Sequence, residues 1–148
     1  MFMMIALTVS LSTRAQTPGV NRSCTLLTTA QVTSLIGAAK TMPVTNDPGG
    51  STCIFQAGNK TVTVLVVPAP SPEGATRAYE AKKKMAAGEA LTGWPVPAYS
   101  GLLRPNVVAV GFLKSQTIVE VKVRDAEQTT EALRVKLQAV TKEVAGRK

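Results

Sequence analysis

The sequence predicts an α+β protein in which an antiparallel meander sheet of about five strands carries three helices, packed mainly on one face. Two observations predict this class. Strand-type runs with alternating side chains are separated by short turns, and helical patterns with N-cap residues stand before, between and after these runs. The apolar content is 45% with only 4% aromatic residues, so the core should consist mainly of valine, leucine, isoleucine and alanine.

The first helix is predicted to begin after Thr28. Thr28 and Gln31 have the spacing of a capping box, and Gly37 is placed to end the helix. Its apolar stripe should face the core and consists of Val32, Leu35 and Ile36. Residues 42–51 are rich in proline and glycine, and we expect them to form a loop that leads back to the next strand.

Two strands and a second helix follow. Residues 53–57 and 61–67 are β-rich and are separated by residues 58–60, which is typical of a hairpin. The second helix should begin after Ser71, because a capping hydroxyl, a proline and an acid stand in sequence there, and it should run to about Ala87.

Three further strands are predicted at residues 98–100, 107–113 and 117–123. In the last of these, Glu120 and Lys122 alternate with valines, so one face of the sheet should be exposed to water. A final helix is expected to start at Asp125 with Gln128 as the reciprocal capping partner. Its core-facing stripe is Leu133, Leu137, Val140 and Val144.

The N-terminus resembles an export signal. Residues 1–11 form an apolar stretch that is too short to span a bilayer as a helix, and Thr13-Arg14-Ala15 suits a signal peptidase. We therefore predict a signal peptide at residues 1–15 and a single domain at 16–148 that is secreted or periplasmic, without a transmembrane span. The alternative is that this stretch forms a buried N-terminal strand or helix of a cytoplasmic protein.

Cys24 and Cys53 are the only cysteines of the chain. An even pair in an exported protein predicts a structural disulfide, which would link the first helix, capped by Thr28, to the first strand. A redox or metal-binding pair is the weaker alternative, because the chain has no Cys-x-x-Cys spacing and no histidine. Residues 21–23 lack the small and apolar residues of a lipid-attachment motif.

Several short motifs together resemble a known type of protein. They are Ser23-Cys24-Thr25-Leu26-Leu27-Thr28, the following Val32 and Gly37, the strand-opening Cys53, and Gly93 with Ala98-Tyr99. This pattern is similar to bacterial exported and lipoprotein-type domains of unknown function with a Cys-Ser-Leu-Leu-Thr-like opener. The resemblance implies a disulfide and an α+β fold like that of the PsbP-like group, and it implies no activity. The chain departs from the pattern in lacking a lipid-attachment cysteine and in having Trp94-Pro95 where a Leu-Gly turn is common.

Composition argues against catalysis. Without histidine, Ser-His and Cys-His pairs cannot form, and histidine cannot act as a general acid or base. A Ser-Lys pair or two converging carboxylates are the alternatives that remain, and a small hydrolase without histidine would need one of them. We predict no catalytic residue, no metal site and no cofactor.

Two regions are candidates for binding. Trp94 stands in a proline-rich loop where its ring could anchor a ligand or protein partner, together with Tyr99, although burial of both in the core is the alternative. If this loop inserted into a target, the protein would act as an inhibitor. The second candidate is a basic run in the second helix, for which a solvated helix face is the alternative. It consists of Arg77, Lys82, Lys83 and Lys84.

The net charge is +8, and it is +7 without residues 1–15. Such a domain could bind an anionic lipid or wall polymer. The sequence argues against nucleic acid as a partner, because the six aromatic residues are not interleaved with the basic run. The sequence therefore predicts an exported, non-enzymatic binding module of the cell envelope or extracellular space, whose partner is an unknown small ligand or envelope protein.

Overall fold

The computed structural model describes residues 21–147; the predicted signal peptide lies outside this range. The helices are α1 (Arg22–Thr25), α2 (Thr29–Ile36), α3 (Pro72–Met85) and α4 (Thr130–Ala145). The strands are β1 (Lys40–Asp47), β2 (Gly50–Ala57), β3 (Lys60–Pro68), β4 (Glu89–Ala90), β5 (Ala98–Arg104), β6 (Val107–Lys114) and β7 (Thr117–Arg124). No helix in this part of the chain is long and apolar enough to cross a membrane.

All seven strands form one antiparallel sheet with the order β1-β2-β3-β7-β6-β5-β4. Two meanders, β1 to β3 and β4 to β7, meet where β3 pairs with β7. In the sequence, α3 and the strands β4, β5 and β6 lie between these two central strands. The α+β class is confirmed, but the sheet has seven strands and the described chain has four helices, where about five and three were predicted.

One face of the sheet is covered by α1, α2 and α4. Strict alternation places every second residue of β3 and β7, mostly valines, on this face, and directly opposed residues pack in cross-strand rows such as Val64, Val121 and Val110. Leu35 from α2, and Leu133 and Leu137 from α4, join the same apolar cluster. We call this side of the sheet the covered face.

The opposite face carries α3 alone, which contacts β5, β6 and β7. A smaller cluster forms beneath it from Tyr79, Ala86, Tyr99, Ala109 and Ile118. The prediction that this face is wet is therefore wrong at Glu120, which α3 helps to bury, while Lys122 stays partly exposed. We call this side the open face, because β1, β2 and most of β3 have no helix over them there.

The predicted loop at residues 42–51 is the main error of the sequence analysis. Most of it belongs to a hairpin in which β1 pairs with β2, and every residue of β1 is exposed. An edge strand without a buried side has no alternating apolar pattern to reveal it, and Pro43 fits because it lies beside a register shift at the edge.

The helix starts are predicted better. Thr28 and Gln31 form the capping box before α2, and the Ser71 side chain accepts a hydrogen bond from the backbone of Gly74 at the start of α3. The predicted cap of α4 is wrong: Thr129 holds this position. Asp125 instead accepts hydrogen bonds from the Glu127 backbone and the Gln128 side chain, so it fixes the turn that precedes the helix.

The structure contains the predicted disulfide between Cys24 and Cys53, with a Cα–Cα distance of 5.1 Å. It joins α1, and not the Thr28-capped helix as predicted, to β2 on the covered face, where Cys53 is fully buried. The disulfide therefore holds the first short helix over one end of the sheet. Arg22 and Thr25 of this helix line a groove at that end of the sheet.

Candidate ligand groove

A groove of about 460 Å³ opens at the end of the covered face, between α1, the C-terminal end of α4 and the β6–β7 turn. Its floor is apolar and comes from four side chains that the core holds in place. They are Val66, Phe112, Val119 and Val144, all at most 5% exposed. Leu26 and the hydroxyl-bearing Thr25, Ser115 and Thr117 complete the lining with the cations described below.

Three cations and no acid line this groove: Arg22, Lys114 and Arg147. The Lys114 ammonium donates to the backbone carbonyls of Ala145, at 2.9 Å, and Arg147. The Arg147 guanidinium donates to the carbonyl of Leu26, at 2.6 Å, and to the Gln31 side chain, at 3.0 Å. These partners are neutral, so both side chains are held in place while their positive charge stays uncompensated.

The local sequence explains how the cations reach the groove. Lys114 follows Phe112 by two residues on β6, so both point to the covered face. Ser115 and Gln116, with φ of 49° and 61°, form the tight turn into β7. Lys114 satisfies carbonyls that the end of α4 leaves without helical partners, a position where a cation is also favoured by the helix dipole.

Arg22 differs from the other two cations. It lies exposed on α1 and makes no salt bridge within residues 21–147. It also lines an adjoining groove of about 230 Å³ beside the β1–β2 turn, so it stands between two concave surfaces. A guanidinium in this position is available to an anionic ligand in either groove.

The structure separates Trp94 from Tyr99. Trp94 is partly buried and packs against the apolar cluster of the covered face. Tyr99 is fully buried in the smaller cluster beneath α3, with its ring centroid 5.5 Å from that of Tyr79. The two side chains therefore do not form one surface, and recognition of a partner by the Trp94 loop stays a prediction.

Tyr99 belongs to a buried polar contact. Its hydroxyl donates to the Glu120 carboxylate across the intervening strand, and Gly111 lies beneath its ring. Burial, followed by the neighbouring Glu120 charge, raises the pKa of the Tyr99 phenol far above its ordinary value. Burial and the charge of Glu80 also raise the pKa of Tyr79, to about 12. Both phenols therefore stay protonated well above neutral pH.

The basic run does not form one patch on α3. At 100° per residue, Arg77 and Lys84 lie together on the outward side, because seven residues separate them. Lys82 and Lys83 lie on opposite flanks of the buried stripe and are partly buried. Binding of an anionic surface by these four residues stays a prediction. Arg77 and Lys84 would face such a surface directly, whereas Lys82 and Lys83 would lie at the sides of the helix.

The described residues contain no cluster of three acidic or cysteine side chains that could hold a metal ion. Asp125 is buried like Glu120, and it fixes the turn that precedes α4. Burial alone would raise its pKa, but hydrogen bonds from Gln128 and the Glu127 backbone, together with the charge of Lys60, lower it overall. The arrangement at the groove is suited to binding a molecule with an apolar part and an anionic part.

No family model, curated protein or solved structure matches this chain. The sequence did not predict this groove, because Arg22 and Arg147 are 125 positions apart in the chain and none of its cations stands in a motif. Two signals were present. Lys114 is a cation at the end of an otherwise apolar strand, and Arg147 follows the last apolar residue of a helix stripe.

Proposed function

We propose that the protein is an exported, non-enzymatic binding module whose groove at the end of the covered face holds an amphipathic anion. The observation that carries the proposal is the combination of an apolar floor with Arg22, Lys114 and Arg147 and with no acid in the lining. The volume of about 460 Å³ lies within the range typical of small-molecule sites. An alkyl chain would contact the valines and Phe112, and a carboxylate or phosphate would lie near the guanidinium of Arg22.

Export is supported by the disulfide, which persists in oxidising compartments, and by the apolar stretch at residues 1–11. A binding role is supported by the placement of the acids. Glu120 bonds Tyr99, and Asp125 and Glu127 contact Lys60 at 3.8 and 2.7 Å. These three carboxylates are therefore engaged in structural contacts, and none of them lines the groove.

The test compares dodecanoate with dodecanol by isothermal titration calorimetry. The two probes share the alkyl chain and differ in the anionic head. We expect dodecanoate to bind more tightly, and Arg22→Gln to weaken dodecanoate roughly three- to tenfold while leaving dodecanol unchanged. Lys84→Gln removes the same charge on the opposite side of the sheet and serves as the matched control.

A second variant tests the floor independently of charge. Thr117 lines the groove and is partly exposed, so Thr117→Trp should fill the groove without disturbing the core. We expect it to weaken both probes. The proposal fails if neither probe binds the wild type, or if Arg22→Gln and Lys84→Gln have the same effect.

A further inference from the structure

A second cationic site lies on the open face, beyond the reach of α3. Arg104, Lys122 and Arg124 line a groove of about 260 Å³ together with Thr61 and Thr63. Leu103 and Val107 contribute its apolar part. This groove is on the opposite side of the sheet from the ligand groove and shares no residue with it.

Strand register brings these residues together. Thr61 pairs with Arg124, Arg124 with Val107, and Val107 with Arg104, so the two arginines share one cross-strand row. Lys122 lies in the next row, opposite Thr63. Strands lie about 4.8 Å apart, which places the Cα atoms of the two arginines about 10 Å from each other. Long side chains from these positions can meet over a single ion.

The cations have no acidic partner among the described residues. The salt bridges there involve Lys60 and Arg134 only. Asp125 directly follows Arg124, but its carboxylate is fully buried, is bonded to Gln128 at 2.7 Å and lies 3.8 Å from Lys60. Three like charges around one concavity repel one another, so an anion placed between them would stabilise the arrangement.

Glu120 could have neutralised this site, because it lies on the same strand and the same face as Lys122. Its carboxylate is instead held by the Tyr99 hydroxyl under α3. The fold thus buries the only acid of β7 and leaves both cations of that strand at the groove. The charge of this surface is a consequence of where α3 lies.

We propose that this groove binds a phosphate-type oxyanion. The two guanidinium groups provide the paired N–H donors that suit phosphate oxygens, Lys122 adds a third positive charge, and Thr61 and Thr63 add hydroxyl donors. A dianionic group fits three cations better than a single carboxylate does. The phosphate can be a free ion or the head group of an anionic lipid.

The experiment follows backbone amide shifts of the full mature chain by NMR, with inorganic pyrophosphate as the soluble probe. In parallel, sedimentation measures binding to phosphatidylglycerol vesicles, with phosphatidylcholine vesicles as the neutral reference. The test variant combines Arg104→Gln, Lys122→Gln and Arg124→Gln. The matched control combines Lys40→Gln, Lys136→Gln and Lys142→Gln, three exposed positions outside both grooves, and removes the same charge.

We expect saturable shifts in residues 61–63, 104–107 and 122–124. Binding should be at least tenfold weaker in the test variant and within twofold of wild type in the control. This pattern with pyrophosphate identifies a free phosphate as ligand, and the same pattern with anionic vesicles alone identifies a lipid head group. Equal losses in both variants, or no binding in either arm, overturn the proposal. The dodecanoate test concerns the other groove, which shares no residue with this one, so the two proposals can fail independently.

Discussion

The two faces of the sheet differ although the same strands build them. On β3, Val62, Val64 and Val66 are buried on the covered face, whereas Thr63 and Leu65 on the open face remain partly exposed. The covered face receives three helices and the disulfide, and the open face receives one helix over β5 to β7. The centre of the covered face is therefore filled by core side chains, with the ligand groove at its end, whereas part of the open face has no helix over it.

The two faces also differ in where their charged side chains lie. The covered face keeps charged groups out of its centre and places its cations at the rim, where Lys114 and Arg147 bond helix-end carbonyls. The open face buries a carboxylate in its centre and satisfies it with Tyr99. The cations at the rim stay available for ligands, while the buried pair links β5 to β7 across β6, beneath α3.

The largest expected effect is on the covered face, and it comes from reducing the disulfide. Cys24 and Cys53 are 29 residues apart in sequence, and a loop of that length contributes roughly 3–4 kcal/mol in the chain-entropy model. Urea unfolding with and without dithiothreitol should show this loss in the free energy of unfolding. A variant with Cys24→Ala and Cys53→Ala should not respond to the reductant. An unchanged midpoint for the wild type would contradict a stabilising role.

A second prediction compares neighbouring positions on β3. Val64→Ala opens a cavity among fully buried residues of the covered face and should cost about 2–3 kcal/mol. Leu65→Ala removes a larger side chain on the open face but should cost only about 1 kcal/mol, because Leu65 is partly exposed. Urea unfolding of both variants measures the difference. Equal costs, or a larger cost at Leu65, would mean that the open face is more completely buried than its exposure indicates.

Sequence patterns predicted the covered face well, because its signals are local. Alternating valines in β3 and β7 and the capping box at Thr28 each express one element's own geometry. The faces of β7 were also assigned correctly, with Val119, Val121 and Val123 on one side. What local patterns could not supply was the position of α3, which turned Glu120 from an expected surface residue into a buried one.

The two grooves were not predicted for the same reason, namely that local patterns do not give the arrangement of the elements. Neither groove is visible in the sequence, because each combines residues whose proximity depends on strand order. Arg104 and Arg124 share a row only because β5 and β7 flank β6. Arg22 reaches its groove because the disulfide and a hydrogen bond from the Ser23 backbone to the Ser51 side chain hold α1 against β2. The sequence analysis selected Trp94 because of its proline-rich loop and the α3 cations because they form a basic run. Local composition of this kind carries no information about strand order.

The third prediction concerns the buried phenols of the open face. Tyr79 and Tyr99 are the only tyrosines, so absorbance of tyrosinate reports on this cluster alone. The pKa of Tyr79 is raised to about 12 by burial and the Glu80 charge, and the pKa of Tyr99 is raised by burial and the Glu120 charge. In the unfolded chain both ionise near pH 10.

The sign of the effect on stability follows from this difference. Below pH 10 both phenols are protonated in the folded and unfolded states, and their contribution to stability is fully present. Above pH 10 the unfolded chain releases protons that the folded chain retains, so stability falls as pH rises from about 10 towards 12 and beyond. Little tyrosinate should form at pH 10.5 in the folded protein, and its appearance should coincide with loss of ordered structure measured by circular dichroism. Titration of one tyrosine near pH 10 in the folded protein would show that α3 does not seal the cluster, and the contrast between the covered and open faces would then extend beneath the helix itself.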